Sequence, residues 1–319
     1  MLRAPVRDGN RIETRIAGER GGVSAKTRVE VDGTQLTLSN LDKVLYPGHG
    51  FTKGEVIDYY ARIAPAMLPH LAGRPATRLR YPEGVDGQSF FEKNAPPHTP
   101  DWVRTVELPT PGGSRDSLRF VVIDDLATLV WTANLAALEL HVPQWRVGPR
   151  GAAHDPDLLV FDLDPGAPAD IDDAREVAGL LRALLDDDGL ESFPKTSGRK
   201  GLHLYVPIAE TSDERTSAYA KEAAQRLEKD HRDLVVSRMD KRLRHGKVFV
   251  DWSQNNRHKT TVAPYSLRAG HDPYVSAPVT WDEIESGTDL RFRPDEVRDR
   301  VEQDGDLLAP LLELRQKPP

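Results

Sequence analysis

Apolar and polar residues alternate along this chain with two clear periods, and each period predicts a different kind of element. The segment "RVEVDGTQLTLSN" alternates residue by residue around Asp32-Gly33, as a β-hairpin does. The segment "TKGEVIDYYARIAPAMLPHL" repeats apolar residues at helical spacing after Thr52 and Glu55, which form a capping-box signature. Helical patterns recur in "REVAGLLRALLDDDGL", which ends at Gly189, and in "DERTSAYAKEAAQRLEKDH".

Short apolar runs bounded by proline and glycine predict the strands. These runs are "ATRLRYP", "SFFEKN", "RFVVIDD", "LLVFDLDPG", "GLHLYVPI" and "KVFVDWS". The segment "LATLVWTANLAALELHV" is apolar around most of its circumference and predicts one buried helix. Because helices and strands are mixed without a regular βαβ repeat, the pattern predicts an α+β fold around a mixed or mostly antiparallel sheet.

The N-terminal segment differs from the rest of the chain. Residues 1–28 contain several glycines and few large apolar residues, and they predict a flexible basic arm with arginines at positions 3, 7, 11, 15 and 20. Residues 29–319 predict the folded part. With 319 residues and 38% apolar composition, the chain is long enough for one large domain or two tightly packed ones.

Composition and charge narrow the classes of protein. The chain has no cysteine, which excludes disulfides, thiolate zinc sites and cysteine catalysis. It shows no run of 18 apolar residues and no signal-peptide core, so we expect a cytosolic protein without a membrane partner. The net charge is −7, but residues 121–194 carry −11 and residues 195–272 carry +6. This pattern is compatible with a central metal site flanked by polyanion-binding surfaces, and also with an ordinary solvated surface.

The strongest chemical signal is a pair of aspartates inside one apolar strand. Asp162 and Asp164 are two residues apart, so their side chains share a face and their like charges need compensation. One interpretation is that Asp164 caps the turn at Pro165-Gly166 while Asp162 pairs with an arginine. The other is that both aspartates bind Mg²⁺ or Mn²⁺. Asp251, at the end of another apolar strand, supplies a third carboxylate and favours the metal site.

A glycine-rich turn lies between these strands. In "KTSGRKGLHLYVP", Gly198 lets backbone amides approach a phosphate, Ser197 adds a donor and Lys200 adds a charge. The alternative is an ordinary hairpin turn, because the segment matches neither common glycine-rich nucleotide fingerprint. Beside a metal site we expect this turn to hold a triphosphate, with Gln254 and Arg268 able to reach the same charge.

The histidines fall into two groups. His141 and His203 are the better candidates for a functional role, because His141 lies shortly before the aspartate strand and His203 lies on the strand after the glycine-rich turn. For His49, His70 and His98 a structural role is the expected one.

Two lysines and two phenylalanines suggest contacts with DNA. Lys53 occupies the first turn of a capped helix, where free amides and the helix dipole favour an anion, and Lys43 could complete a phosphate site. Of Phe90 and Phe91, we expect one ring in the core and the other exposed enough to stack on a base.

Seven segments together resemble one known family. In order from about residue 30 onward, they closely resemble the polymerase domain of bacterial DNA ligase D, in the archaeo-eukaryotic primase superfamily. The segments are "LSNLDKVLYP", "TKGEVIDYY", "FFEKN", "ALELHVPQW", "VFDLDPG", "TSGRKGLHLYVP" and "VFVDWSQNNRHKTTVAPYSLR".

The resemblance implies a primase-like catalytic core over residues 29–319. It implies an enzyme that adds nucleotides to a DNA primer 3′-OH, prefers NTPs to dNTPs, uses two Mn²⁺ or Mg²⁺ ions, and fills gaps in double-strand break repair. Its metal ligands match Asp162, Asp164 and Asp251. The positions around the incoming nucleotide match His141, Ser197, Lys200, His203 and Arg268.

The resemblance also assigns contacts with DNA. Lys43 and Lys53 match the pair that holds the 5′-phosphate across a gap, and Phe91 matches an aromatic beside the template. Some relatives have a basic residue where this chain has Leu79, so Arg78 or Arg80 is expected to take that role.

The implied partners are gapped or end DNA with a 5′-phosphate, an NTP or dNTP, and repair proteins of end joining. A monomer in the bacterial cytoplasm, associated with the nucleoid, is expected. The chain has no ligase-type K-x-D-G motif, and its length and N-terminal arm favour a free-standing form. Two alternatives stay open: a metal-dependent phosphoesterase or nuclease, and a non-catalytic DNA-end-binding module.

Overall fold

The computed structural model describes residues 26–110 and 116–319. The strands are β1 (Lys26–Val31), β2 (Thr34–Ser39), β3 (Val44–Tyr46), β4 (Phe51–Thr52), β5 (Pro75–Arg80), β6 (Phe90–Glu92), β7 (Thr105–Pro109), β8 (Ser117–Val122), β9 (Ala137–Val142), β10 (Trp145–Val147), β11 (Ala153–Pro156), β12 (Leu158–Pro165), β13 (Phe193–Thr196), β14 (Leu202–Pro207), β15 (Val235–Val236), β16 (Val248–Asp251) and β17 (Thr261–Val262). The helices are α1 (Lys53–Leu71), α2 (Leu126–Asn134), α3 (Ile171–Asp187), α4 (Asp213–Asp230), α5 (Trp281–Glu285), α6 (Pro294–Asp304) and α7 (Pro310–Glu313), with 3₁₀ helices at Lys241–Leu243 and Trp252–Asn255.

Two larger sheets form the centre of the molecule. One has the strand order β17-β9-β5-β8-β7, with β6 paired to β5, and the other has the order β13-β14-β12-β16-β15. Their strand pairs are antiparallel except for β15 and β16, which are parallel. The predicted α+β fold with a mixed, mostly antiparallel sheet is confirmed.

The five-stranded sheet has one face in an apolar core and the other at the candidate site. Leu159, Phe161 and Leu163 of β12 are fully buried in a cluster that contains apolar residues of α3 and α4. Because strand side chains alternate, the residues between them point to the opposite face. Burial of the apolar face, at about 1.5–3 kcal/mol for each large side chain, therefore fixes the direction of the aspartates.

Local signals set the ends of several elements as predicted. Helix α1 begins after Thr52, whose hydroxyl accepts the Glu55 amide while the Glu55 carboxylate accepts the Thr52 amide. The β1–β2 hairpin turns at Asp32 and Gly33, which have φ of 46° and 77° as a two-residue hairpin turn of this type requires. Helix α3 stops before Gly189, where φ is 76°.

The prediction of one buried helix over "LATLVWTANLAALELHV" is wrong in its second half. Helix α2 ends at Asn134, Ala136 has φ of 56°, and β9 then pairs with β5 and β17. In "ALELHV" every second residue is polar or small, which is the strand period within a generally apolar segment. His141 therefore lies on a strand of the six-stranded sheet.

Residues 26–28, which the sequence predicted as the end of the flexible arm, belong to a strand. Strand β1 includes residues 26–28, because Lys26 and Arg28 pair with Ser39 and Thr37 of β2 and extend the hairpin. The remainder of the predicted arm, residues 1–25, lies outside the described residues. In the described part of the chain, no helix has the length and apolar character needed to cross a membrane.

Candidate active site

Strand register brings four polar side chains into one row across the five-stranded sheet. Asp162 of β12 pairs with His203 of β14 on one side and with Asp251 of β16 on the other. His203 in turn pairs with Lys195 of β13. Directly opposed residues on one face of antiparallel strands lie about 4.5–5.5 Å apart at Cβ. The row therefore places two carboxylates, an imidazole and an amine within mutual electrostatic reach.

The negative charge of Asp162 is stabilised by neighbouring side chains. The His203 Nε2 atom lies 3.3 Å from Asp162 Oδ1. Burial would raise the pKa of Asp162, but attraction to His203, together with Lys195 and Arg268, outweighs burial and leaves the pKa below its ordinary value. Burial and the neighbouring Lys195 lower the pKa of His203 to about 4, so its imidazole is neutral at pH 7.

Asp164, one pleat further along β12, is compensated by a different pair of cations. The Lys200 Nζ atom lies 3.0 Å from Asp164 Oδ1, and the Arg244 guanidinium lies 3.9 Å from Oδ2. The Gly166 amide donates to the Lys247 carbonyl. The structure therefore pairs Asp162 with a histidine and Asp164 with a lysine, not with an arginine and a turn amide as the alternative interpretation required.

Asp251 ends β16 and caps the short 3₁₀ helix that follows it. Its Oδ1 accepts the backbone amide and hydroxyl of Ser253, at 2.9 and 2.6 Å. Its Oδ2 accepts Gln254 Nε2 at 3.1 Å. This contact brings Gln254, a predicted nucleotide-binding residue, into the same site as the aspartates.

The glycine-rich turn is closed by its own serine and packs on Arg268. The Ser197 Oγ atom accepts the amides of Arg199 and Gly201 at 3.2 and 3.1 Å, and the Ser197 carbonyl accepts Arg268 Nη1 at 2.9 Å. Gly198 has φ of 69°, and a Cβ atom there would lie 2.5 Å from the Arg268 side chain. Glycine is thus required both by the backbone conformation and by the close approach of Arg268.

A buried glutamate holds the groups beside this turn. The Glu139 side chain is 1% exposed, and its carboxylate accepts His141 Nε2 at 2.9 Å, Arg199 Nη2 at 3.1 Å and the Ala269 amide at 3.0 Å. The Arg268 Nε atom lies 3.4 Å from it. Burial would raise the pKa of Glu139, but His141 and Arg268 outweigh burial and lower the pKa to about 2.

Several residues of this site were missed by sequence reasoning. They are Glu139, Lys195, Arg199 and Arg244. Glu139 carried the same signal as Asp162, a charged residue inside a buried strand, and its spacing of two from His141 places both on one face. Lys195 is fully buried, and its Nζ donates to Ser276 Oγ at 2.5 Å. Burial lowers the pKa of Lys195 well below its ordinary value.

The predicted 5′-phosphate pair lies in a cluster of cations at the start of α1. Lys53 is buried, with 5% exposure, and its Nζ donates to the Ser39 carbonyl at 2.6 Å. Burial, followed by repulsion from Lys43 and Arg80, lowers the pKa of Lys53 to about 8. Lys43 forms an ion pair of 2.8 Å with the exposed carboxylate of Glu83. The cations in this cluster are therefore close enough to repel one another, which favours an anion between them.

The two arginines of "RLR" differ in accessibility. Arg78 has no exposed surface, donates to the Asn94 carbonyl at 2.9 Å and lies 5.9 Å from the Trp131 ring. Burial lowers the pKa of Arg78 to about 10. Arg80 is partly exposed and forms an ion pair of 2.5 Å with Glu92. Arg78 is therefore buried, and Arg80 is the accessible arginine of the two.

Both phenylalanines of β6 are exposed, at 43% for Phe90 and 60% for Phe91. The prediction that one ring lies in the core is therefore wrong. The reason is that β6 has three residues and lies outside the main strand order, paired to β5 alone. Phe91 keeps the exposure that stacking on a base requires, and Lys93 Nζ lies 6.0 Å from its ring.

The donor set fits hard divalent cations and a polyanionic ligand. Asp162, Asp164 and Asp251 supply carboxylate oxygens, which are the ligands that Mg²⁺ and Mn²⁺ prefer. Among the described residues, buried polar atoms without a hydrogen-bond partner include His203 Nδ1, Gln254 Oε1 and Arg268 Nε. Buried polar atoms are normally satisfied, so His203 Nδ1 and Gln254 Oε1 are available to a ligand at this site, although other unpartnered buried atoms lie elsewhere in the described residues.

Comparison with known proteins identifies the family of this chain. The family described as "LigD, primase-polymerase domain" matches residues 52–308. The multifunctional non-homologous end joining protein LigD of Mycolicibacterium smegmatis is 49% identical over 280 residues, which cover 87% of this chain and 36% of that protein. The bifunctional non-homologous end joining protein LigD of Bacillus subtilis is 34% identical over 274 residues, covering 85% of this chain and 43% of that protein. The chain therefore spans 36–43% of the length of these curated relatives.

A solved structure matches the fold. It is described as the polymerase domain from Mycobacterium tuberculosis ligase D in complex with DNA. The match has a TM-score of 0.83 and 48% sequence identity, and it covers 87% of this chain and 98% of the other. This similarity confirms the primase-like fold that the sequence segments implied.

Proposed function

The chain belongs to the family of LigD primase-polymerase domains, and on that premise we propose that it extends the 3′-OH of a DNA primer by nucleotides and fills short gaps during double-strand break repair. The family is one of metal-dependent nucleotidyltransferases. The observation that carries the proposal is that strand register sets Asp162 beside Asp251, with Asp164 on the same face of β12 and in contact with Lys200 of the glycine-rich turn, which packs on Arg268. Carboxylates alone would suit a phosphoesterase, whereas the additional donors suit a nucleoside triphosphate.

The metal-binding role falls to Asp162, Asp164 and Asp251. We infer that they hold two divalent ions, with Mn²⁺ preferred to Mg²⁺. When bound, the ions lower the pKa of the primer 3′-OH and neutralise charge on the leaving pyrophosphate. Asp164 is paired with Lys200, so a metal ion held by Asp164 would compete with that lysine. Lys200 is then free to bind the triphosphate.

The triphosphate contacts come from groups that the fold already positions. Lys200 supplies an exposed charge, and Arg268 supplies a guanidinium held by Glu139 and the Ser197 carbonyl. Ser197 uses its oxygen to accept two amides, which leaves its hydroxyl proton to donate to a phosphate oxygen. His141, His203 and Gln254 complete the nucleotide site in this proposal.

DNA binds on the side of the cationic cluster. We assign Lys43 and Lys53 to the 5′-phosphate across a gap, Arg80 to the adjacent backbone and Phe91 to stacking beside the template. The solved structure that matches this chain is described as a complex with DNA, which supports a DNA partner. Action as a monomer at the nucleoid, alongside end-joining proteins, belongs to the same proposal.

The test is nucleotide incorporation on labelled gapped duplexes with and without a 5′-phosphate, comparing NTP with dNTP and Mn²⁺ with Mg²⁺. We expect primer extension that is stronger with NTP, with Mn²⁺ and with the phosphorylated gap. Shortening of the labelled strand would instead identify a nuclease. DNA binding without any change in strand length, at all metal concentrations, would identify a non-catalytic end-binding module.

A further inference from the structure

A second group of metal-ligating side chains lies outside the aspartate site. It consists of His49, in the turn between β3 and β4, and of His271 and Asp272, in the loop that follows Arg268. One ligand atom from each lies within 4.8 Å of the other two. Within residues 26–110 and 116–319, this is the group of three histidine or acidic side chains that meets this criterion. From the sequence, a structural role was expected for His49 as a lone histidine, and the structure places it beside Asp272, 223 positions away.

The contacts within the group resemble a coordination shell. The His49 Nε2 atom contacts one carboxylate oxygen of Asp272, and the His271 Nδ1 atom lies 3.2 Å from the other. Tetrahedral zinc with bonds of about 2.0–2.1 Å places its ligands about 3.3 Å apart, so only small movements would be needed. Gly48 makes room for the cluster, because a Cβ atom there would lie 2.9 Å from His271 Nε2.

The ligand types favour a transition metal over Mg²⁺. Two imidazoles and one carboxylate form a set that suits Zn²⁺, whereas three carboxylates suit the harder cations assigned to Asp162, Asp164 and Asp251. Three protein ligands leave a fourth position for water. Both histidines are exposed, so that position can be reached from solvent.

We propose that His49, His271 and Asp272 bind one Zn²⁺ ion, separately from the metals of nucleotidyl transfer. The ion would tie the β3–β4 hairpin to the loop after Arg268, two segments already joined by the hydrogen bond from Tyr46 Oη to the Arg268 carbonyl at 3.0 Å. Zinc would thus fix the spacing between the cationic cluster and the nucleotide site. The Arg293 guanidinium, 3.6 Å from Asp272, opposes the metal and sets an upper limit on its affinity.

The experiment is a calorimetric titration of the full chain with Zn²⁺ alone. We expect one equivalent to bind, and His271→Ala to weaken binding by at least about tenfold. His271 is 81% exposed, so its substitution should not disturb folding, and His49→Ala provides a second variant. The matched control is His98→Ala, which removes another exposed histidine and should leave zinc affinity unchanged. Bound Co²⁺ should show the visible absorption of a tetrahedral site, and lose it in His271→Ala.

A double variant separates this proposal from the proposed function. Asp162→Asn with Asp251→Asn should abolish nucleotide incorporation but retain the zinc equivalent, because the two sites share no ligand. Unchanged zinc affinity in both His271→Ala and His49→Ala would overturn the site and leave a plain pair of histidine–aspartate hydrogen bonds. Loss of the zinc equivalent in the aspartate double variant would also overturn the proposed site. If the parent protein showed no polymerase activity, the proposed function would fail, but the zinc titration would still test the zinc site.

Discussion

The five-stranded sheet and the start of α1 differ in how the charges of their clustered side chains are compensated. On the sheet, Asp164 is paired with Lys200, and Asp162 lies beside the neutral His203 with Lys195 and Arg268 in electrostatic reach. At the start of α1, Lys53 is buried near Lys43 and Arg80, and burial with repulsion lowers its pKa to about 8. Within the described residues no ion pair involves Lys53, although Lys43 pairs with the exposed Glu83.

This difference indicates how a ligand would bind in each region. On the sheet, Asp164 is already paired with Lys200 before any ligand binds, and a metal ion at Asp164 would compete with that cation. Because Lys200 is the replaced cation and also a proposed triphosphate ligand, metal and nucleotide binding should favour each other. The start of α1 carries excess positive charge, so a DNA phosphate relieves repulsion directly. Substitutions in the first region should therefore affect chemistry, and those in the second should affect the choice of DNA.

The largest effect should follow loss of a sheet carboxylate. We expect Asp162→Asn or Asp251→Asn to reduce nucleotide incorporation by about 10³-fold or more, because each removes a proposed metal ligand. DNA affinity should change by no more than about twofold, since the basic contacts lie elsewhere. Incorporation and DNA binding are measured on the same gapped duplex, with the exposed Asp187→Asn as control. Near-normal incorporation in either variant would contradict the assignment of these aspartates as ligands of two metal ions.

A smaller loss is expected for the buried carboxylate that positions the nucleotide site. Glu139→Gln should weaken nucleotide binding by about tenfold, because the neutral amide holds Arg268 and His141 less strongly. Lowering the pKa of Glu139 from 4.5 to about 2 corresponds to about 3 kcal/mol of stability. That stability is fully present above the unfolded pKa of about 4.5 and is lost as the pH falls toward 2.

The pH dependence gives this prediction a second measurement. In urea unfolding, the stability difference between parent and Glu139→Gln should be largest near pH 7 and should shrink as the pH falls below about 4.5. A difference that stays constant down to pH 3 would mean that the Glu139 charge does not stabilise the fold.

Substitutions in the glycine-rich turn should weaken nucleotide binding. Ser197→Ala combined with Lys200→Ala should raise the nucleotide KM by about tenfold, since a charge-assisted contact is worth about 1.5–3 kcal/mol and some compensation by Arg268 is expected. DNA affinity, measured by fluorescence anisotropy, should stay the same. An effect on DNA affinity alone would show that the turn was assigned to the wrong ligand.

The smallest effect should come from the cationic cluster. Lys53→Ala should reduce the preference for gaps with a 5′-phosphate several-fold and leave extension of an open primer-template nearly unchanged. In the parent, this preference should fall as the pH rises through about 8, because Lys53 loses its proton there, and as salt concentration rises. The control is Lys26→Ala, which removes an exposed lysine of β1. If Lys53→Ala retains the parent's preference, the phosphate is held elsewhere.

Much of the site follows from local sequence patterns. Alternation within "VFDLDPG" places Asp162 and Asp164 on one face, and the capping box sets the start of α1 next to Lys53. The order of the seven segments that resemble the family indicated the family and the primase-like fold, which the comparisons confirm. Where local signals conflicted, as in the apolar run that contains β9, the prediction failed because periodicity alone does not separate a buried strand from a buried helix.

The sequence by itself determined which residues share a face, because the period of a strand or helix is a property of adjacent residues. The tertiary structure decided which residues face each other across elements. Register placed His203 and Lys195 beside Asp162, packing buried Arg78, and the edge position of β6 left Phe90 exposed. Contacts such as that between His49 and Asp272, 223 positions apart, depend on how two sheets and their loops pack, and no local period encodes that distance.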